Sequence, residues 1–197
     1  MKTDDELLYD SIIEEANQRL LNALTQLKEA RQIHKAFMAL GKELSSGADR
    51  NVLLGIICEA VESLFPKAYY LVQLLEGSDA RSVAWRFKGP LHTGVHTRIH
   101  LTKSSAKKTG ITADQIGASI IKLHEEVPHL FHETQHAIHV PLVSERQLFG
   151  AIQVEAPEGV GLGDDDEMLL ISLANQMALA LRNQRLLEET RYLKEYM

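Results

Sequence analysis

An α+β fold with an antiparallel sheet set between two long helices is predicted for this chain, and three observations carry the prediction. Residues 5 to 46 contain no proline and place apolar or small residues at alternating spacings of three and four. The middle of the chain changes to a period of two, in short runs parted by turn residues. The last thirty or so residues return to helical spacing. A period near 3.6 belongs to helices and a period of two to strands, so each change marks a change of element.

The first helix is expected over residues 5 to 46. Its stripe runs Ile13, Ala16, Leu20, Ala23, Leu27, Ala30, His34, Phe37, Gly41 and Leu44, the heptad rhythm of a helix–helix seam, with Leu21 and Leu24 widening it. His34 on that seam is read as a packed histidine. A helix of this length would run about 60 Å, roughly twice the diameter of a small domain, so its first half is expected to pair with another chain. "SSGADR" (45–50) breaks the pattern, and Ser46 or Asp49 can cap a second helix over 50 to 65. Leu53, Leu54, Ile57, Cys58, Val61 and Leu64 form the apolar face of that helix. Cys58 lies within the stripe and is read as an inert buried thiol.

Strands are expected at 68–76 and 81–89, joined by the turn "GSDA" (77–80) as a hairpin, and at 94–102, where β-branched residues alternate. Residues 112–127 begin with a Thr cap and carry Ile116, Ile120, Ile121 and Leu123 at helical spacing. "AIHVPLVS" (137–144), the turn "ER" and "QLFGAIQVEA" (147–156) form a closing hairpin, with Pro141 placing its strand at an edge or bulge. The loop 157–167 ends in Asp164, Asp165 and Asp166, which suit the positive end of the helix that follows. That helix is expected from about 165 to the last residue. It ends in mid-pattern, as in a protein cut from a longer parent.

Composition bounds the function. The chain has 197 residues, 45% hydrophobic and 24% charged, with a formal net charge of −6. That charge gives no basic surface for nucleic acid. "KSSAKK" (103–108), the most basic stretch, reads as a solvated loop. A single cysteine rules out an internal disulfide and a cysteine-based zinc site. No apolar run reaches the length needed to span a bilayer. The N-terminus lacks the order of a signal peptide, so a cytosolic location is expected.

One motif competes with the strand reading. His132-Glu133-Thr134-Gln135-His136 fits H-E-x-x-H, in which two histidines on consecutive helical turns share a zinc ion and the glutamate acts as base. The helix would have to start near Pro128 and end before Val140, because a residue preceding proline avoids the helical region. The space is cramped, and the third ligand has no good candidate. His132 and His136 are therefore weak metal candidates, and a zinc metalloenzyme is a remote alternative. His92, His96 and His100 share a spacing of four, which on a strand puts neighbours about 13 Å apart, too far for one metal.

The residues "HVPLVSERQLFGAIQVEAP", then an acidic loop and "LLISLANQMALALRNQRLLEE", resemble the C-terminal half of a GAF domain. Val140-Pro141-Leu142, Gly150, Leu173 to Gln176 and Ala178 to Asn183 carry the likeness. "RQIHKAFMALGKELSSGADRNVLLGIICEAVESLF" is similar to the first two helices of that family. The resemblance implies a central antiparallel sheet of five or six strands. The long N- and C-terminal helices would pack on one face, and short helices and loops would cover a ligand pocket on the other.

It also implies a non-enzymatic sensory or regulatory domain of a bacterial signalling protein, whose effector would be a two-component histidine kinase, a cyclic-dinucleotide enzyme or an AAA-type transcription regulator. The chain would divide into a coiled-coil signalling helix (1–30), the GAF domain (31–185) and the start of a linker helix (186–197) leading to an effector. The expected pocket residues are Trp85, Phe87, His96, Ile120, His124, Phe131 and His136. Trp85 and Phe87, alternating on one strand, read first as plain core, with pocket lining as the alternative. The expected partner is a second copy, paired through Ile13, Leu20, Leu24, Leu27, Leu186 and Leu193. Haem or a small metabolite could fill the pocket. The family's cyclic-nucleotide signature is missing, and Cys58 is misplaced for a bilin. A dimerisation scaffold with a vestigial pocket is the alternative.

Overall fold

The computed structural model describes residues 4–45, 50–76, 82–111 and 121–195. Four helices and six strands follow in the order α1 (Asp4–Ser45), α2 (Arg50–Leu64), β1 (Tyr69–Glu76), β2 (Ser82–Lys88), β3 (Ile99–Thr102), α3 (Lys103–Thr109), β4 (Ile121–His124), β5 (Thr134–Ser144), β6 (Gln147–Pro157) and α4 (Asp164–Glu195). The fold class is the expected one, with the strands divided between two sheets. Four form an antiparallel sheet in the order β2-β1-β6-β5, and β3 and β4 make a separate parallel pair.

The strand period decides what each face of the four-stranded sheet buries. Tyr70, Val72 and Leu74 of β1, Ile152 and Val154 of β6, and Val140 and Leu142 of β5 point towards the helices. They meet Leu53, Leu54, Ile57 and Val61 of α2 and Leu170, Leu173, Ala174, Met177, Ala178 and Leu181 of α4, all fully buried. This is the main core. At about 25 cal/mol per Å2 of apolar surface removed from water, it is the principal source of stability. Residues of opposite parity face the second layer, where Leu75 and Ala151, joined by Leu148 beyond a bulge in β6, pack against Ile99, Leu101, Ile111 and Ile121. Leu71 packs there against Leu130 and Phe131.

α1 joins this core only through its C-terminal half, where Ile33 and Ala36 are buried. Across 11–28 every residue is exposed. His34 is exposed rather than packed, because the buried stripe at this level runs through Ile33 and Ala36 instead. β1 and β6 approach closely at Gly150, where a Cβ would sit 2.0 Å from the Gln73 carbonyl oxygen. Only glycine fits there.

β5 is an edge strand, as Pro141 requires, and it shifts register between Leu142 and Val143. The extra residue, Phe149 of β6, reverses the alternation there, so that Phe149 faces the helices and Leu148 the second layer. The β5–β6 hairpin closes through Glu145 and Arg146, with φ of 48° and 63°. Such a turn normally selects Asn or Gly. Here Glu145 is held by Arg182 of α4 at 2.6 Å.

Three expected elements differ. The strand read over 94–102 forms only at Ile99–Thr102, because Val95–Thr97 is a 3-10 turn that follows Gly94 in the left-handed conformation. The proposed helix 112–127 is contradicted at its C-terminal end, since Ile121–His124 is a strand paired with β3. Ile121 is buried and Leu123 is exposed, so the face that counted as helical does not exist. Thr112 to Ile120 lie outside the described residues, as do the turn 77–80 and the cap positions Ser46 and Asp49. The stretch read as a solvated loop at 103–108 is the helix α3. The Thr102 side chain accepts from the Ser105 amide at its start, and Gly110 closes it in the left-handed conformation.

Candidate functional site

The second face of the four-stranded sheet carries polar side chains where a plain core would be apolar. Gln73, Gln153 and Glu155 are each buried to within 3% of full enclosure, and His139 faces the same layer opposite Gln153. Each buried polar group must find a partner or destabilise the fold by about 1–3 kcal/mol.

Three of them find partners by gripping the covering layer. Gln73 Nε2 donates to the carbonyls of His96 (3.1 Å) and Arg98 (2.8 Å), which fixes the 3-10 turn Val95–Thr97 and the start of β3. Glu155 is the anchor of 128–134. Its carboxyl oxygens accept from the amides of Leu130 (2.6 Å) and Phe131 (3.5 Å) and from the Thr134 hydroxyl (2.5 Å). Gln153 Nε2 donates to Glu155 (2.7 Å) and to the Pro128 carbonyl (2.6 Å). Pro128, Leu130 and Phe131 are therefore held to the sheet by its own side chains.

The other groups are left open. Gln153 Oε1 is buried without a partner, and so are Nδ1 and Nε2 of His139. His139 lies on an edge strand and keeps some exposure as a residue, yet both ring nitrogens are shut off from solvent. Burial, helped by the nearby His100 and His124 rings, pushes its pKa down to about 3, so the imidazole is neutral.

His100 and His124 form a neighbouring pair. His100 Nε2 lies 3.1 Å from the Val95 carbonyl and must carry the proton that is donated there. His100 Nδ1 then accepts from His124 Nε2 at 2.8 Å, leaving His124 Nδ1 with a lone pair. Burial lowers the pKa of His100 to about 4 and that of His124 in the same direction.

The H-E-x-x-H helix does not form. His132 and Glu133 occupy a turn, Glu133 with φ of 59°, and β5 begins at Thr134. The imidazoles therefore cannot lie on consecutive helical turns. His132 packs its ring on His92, centroids 3.8 Å apart, while His136 is exposed on β5. No group of three or more His, Cys, Asp or Glu side chains able to hold a metal occurs among the described residues.

The expected pocket residues separate into several places. Trp85, Phe87 and His96 make an aromatic group on edge strand β2, with Trp85 4.0 Å from the His96 ring and 5.6 Å from the Phe87 ring. Trp85 and Phe87 are about 40% exposed, so the core reading of them fails: β2 is an edge strand, and the covering layer reaches Trp85 through His96 but leaves both side chains partly open. Phe131 is fully buried against Leu71 and Tyr69. His124 joins His100, and Ile120 lies outside the described residues. His136 has the parity of Ile138, which packs on the helix side, so it does not join the second-face group.

Sequence reasoning missed His100, His139, Gln153 and Glu155. The alternation His139-Val140 and Gln153-Ile152 could have found two of them, because a polar residue between core positions must face the other layer. Cys58 is a buried thiol whose pKa rises to about 12 through burial, as an inert core cysteine requires.

The proposed dimer residues are exposed along one side of α1 and at the end of α4: Ile13, Leu20, Leu24 and Leu27, then Leu186 and Leu193. Among the described residues no helix is long and apolar enough to cross a membrane.

The sequence model of the GAF domain matches residues 51–183. No curated protein matches the chain. Among solved structures, the GAF domain of an Acinetobacter phosphoenolpyruvate-protein phosphotransferase is 15% identical, covering 77% of this chain and 93% of its own, with a TM-score of 0.47. The corresponding domain from Coxiella burnetii is 13% identical, covering 81% and 98%, with a TM-score of 0.46. The GAF domain of the cyanobacteriochrome TePixJ is 14% identical, covering 70% and 92%, with a TM-score of 0.44.

Proposed function

The chain belongs to the GAF domain family, a family of sensory and regulatory domains, and on that premise we propose that it is a non-enzymatic sensor of a small molecule. The carrying observation is the group of unpaired buried nitrogens and oxygen at His139 and Gln153, on the sheet face opposite the helices. Native folds leave few buried polar atoms unpaired, and an ordered water, an ion or a bound molecule takes such atoms up; we read these as held for a ligand. The same two strands carry Val140, Ile152 and Val154 into the core shared with α4. A change of packing at His139 therefore reaches the long helix through one strand thickness.

The response would leave through α1 and α4 to an effector in the same polypeptide, in a homodimer paired along the exposed leucines of α1 and the end of α4. In this reading residues 1–30 act as a signalling helix, 31–185 as the domain and 186–197 as a linker. The ligand must bind the two helix arrangements unequally for any signal to pass. A thermal-shift screen of metabolites tests the sensor reading. A ligand at a hundred times its dissociation constant adds about 2.7 kcal/mol. If no compound moves the midpoint, the domain is a dimerisation scaffold, the reading that the exposed stripe of α1 favours.

A further inference from the structure

The covering layer brings two histidines that are distant in the chain into ring contact at the surface, and what they can hold is independent of the small-molecule reading above. Leu91 and Phe131 form an antiparallel bridge. The His92 amide donates to the Leu130 carbonyl (2.8 Å) and the His132 amide to the Pro90 carbonyl (3.0 Å). Leu91 and Phe131 pack inward with Leu71 and Leu130. Neighbouring side chains on extended backbone point to opposite sides, so His92 and His132 turn outward together. Their ring centroids lie 3.8 Å apart at an interplanar angle of 54°. His132 is exposed and His92 half-buried, so the pair opens to solvent.

The backbone beneath each ring is fixed by other means. Before His92, Gly89 has a φ of 124°, and a Cβ there would lie 2.5 Å from the Tyr69 ring, so the chain can run this close only as glycine. The same Tyr69 ring packs on Phe131, centroids 5.8 Å apart. Before His132, the amides of Leu130 and Phe131 are held by Glu155. After it, Glu133 takes the left-handed conformation, φ 59°, which a residue with a side chain adopts at a cost. The two imidazoles therefore stand on a preset frame, and gathering them around one ion loses little chain entropy.

We propose that His92 and His132 form a two-imidazole chelate for a borderline-soft divalent ion, copper(II) or zinc(II). Imidazole suits these ions, whereas magnesium and calcium call for oxygen ligands. Two imidazoles on one tetrahedral zinc, with Zn–N of about 2.0–2.1 Å, hold their ring centroids about 5 Å apart. The rings must part by about 1 Å to reach that spacing, which a small rotation of either side chain supplies. No group of three ligating side chains occurs among the described residues, so water completes the coordination. The ion ties the segment after β2 to the segment before β5 across the covering layer.

The test is calorimetric titration of the full chain, free of any affinity tag, with copper(II), zinc and magnesium chlorides in a non-coordinating buffer. Saturable one-to-one binding of copper(II) and zinc is expected, copper the tighter, with magnesium at least a hundredfold weaker. His92→Gln and His132→Gln should each weaken zinc at least tenfold. The double variant should lose little more, because each ligand is effective only with the other. Both side chains lie at the surface, so the metal-free thermal midpoints should match that of the parent. His136→Gln removes a histidine outside the pair and should bind zinc as the parent does. The copper(II) form should show the paramagnetic resonance splitting of two nitrogen ligands, reduced to one in either single variant. Undiminished zinc binding in His92→Gln or His132→Gln, loss in His136→Gln instead, or uptake without saturation at one equivalent, an adventitious ion only, overturns the chelate.

Discussion

Acid should weaken this protein well before its carboxylates titrate. His100 and His139 are held neutral in the fold, with pKa values of about 4 and about 3, while an unfolded histidine titrates near 6.5. Below pH 6.5 the unfolded chain takes up protons that the folded chain refuses. Stability therefore is complete above 6.5 and falls as the pH drops towards the folded values. Between pH 7 and pH 5 each histidine withdraws roughly 2 kcal/mol, so the two together withdraw at most about 4 kcal/mol. His124, lowered in the same direction, adds to the loss. Domains of this size have roughly 5–15 kcal/mol in all. With a urea slope of about 2 kcal/mol per M, the unfolding midpoint should fall by about 2 M across that window. Urea titrations followed by circular dichroism at pH 7, 6 and 5 measure it. His139→Leu should remove close to half of the slope. An equal midpoint at pH 7 and pH 5, or a variant with the slope of the parent, would refute the burial argument.

Gly150→Ala should destabilise by about 3 kcal/mol or more, since the new methyl would lie 2.0 Å from the Gln73 carbonyl and force β1 from β6; a loss under 1 kcal/mol in urea unfolding would show that the strands can part cheaply. Glu155→Ala should cost about 3 kcal/mol and free the covering segment, because it leaves the Leu130 and Phe131 amides without their acceptor. Hydrogen exchange at Leu130 and Phe131 should then rise at least tenfold, and unchanged protection would contradict the anchoring role. Removing residues 1–30 should weaken self-association in sedimentation, and an undisturbed dimer would move the interface elsewhere. Glu133→Gln should leave stability and zinc content as they were, because Glu133 sits in a turn rather than on a metal-binding helix.

The scaffold was readable because its signals are periodic. Val140, Leu142, Ile152 and Val154 alternate, Pro141 declares an edge, and α1 and α4 repeat over many turns, so these elements lie where the spacing puts them. The covering layer was not readable in the same way. Its elements are short, and their form depends on partners remote in sequence. Ile121-Lys122-Leu123-His124 becomes a strand by lying beside Ile99–Thr102, a neighbour some twenty residues away. α3 needed only its Thr102 and Gly110 caps to be recognised, but the lysines drew attention to charge instead. The site escaped for a third reason. Clusters of histidine in the sequence pointed to His132 and His136, whereas the three-dimensional group joins single histidines from β3, β4 and β5.

The pleat of β5 constrains what kind of motion this domain can make. His139 and its neighbour Val140 point to opposite layers, and the hairpin tip is moored to α4 by the Glu145–Arg182 ion pair. A slide of one residue along β6 would drive the imidazole into the aliphatic layer beneath the helices and expose the valine in its place. Sliding is thereby forbidden, and so is any partial version of it. What stays open to the hairpin is to tilt as a stiff plank, with its far end dragging the arginine and the helix beneath it.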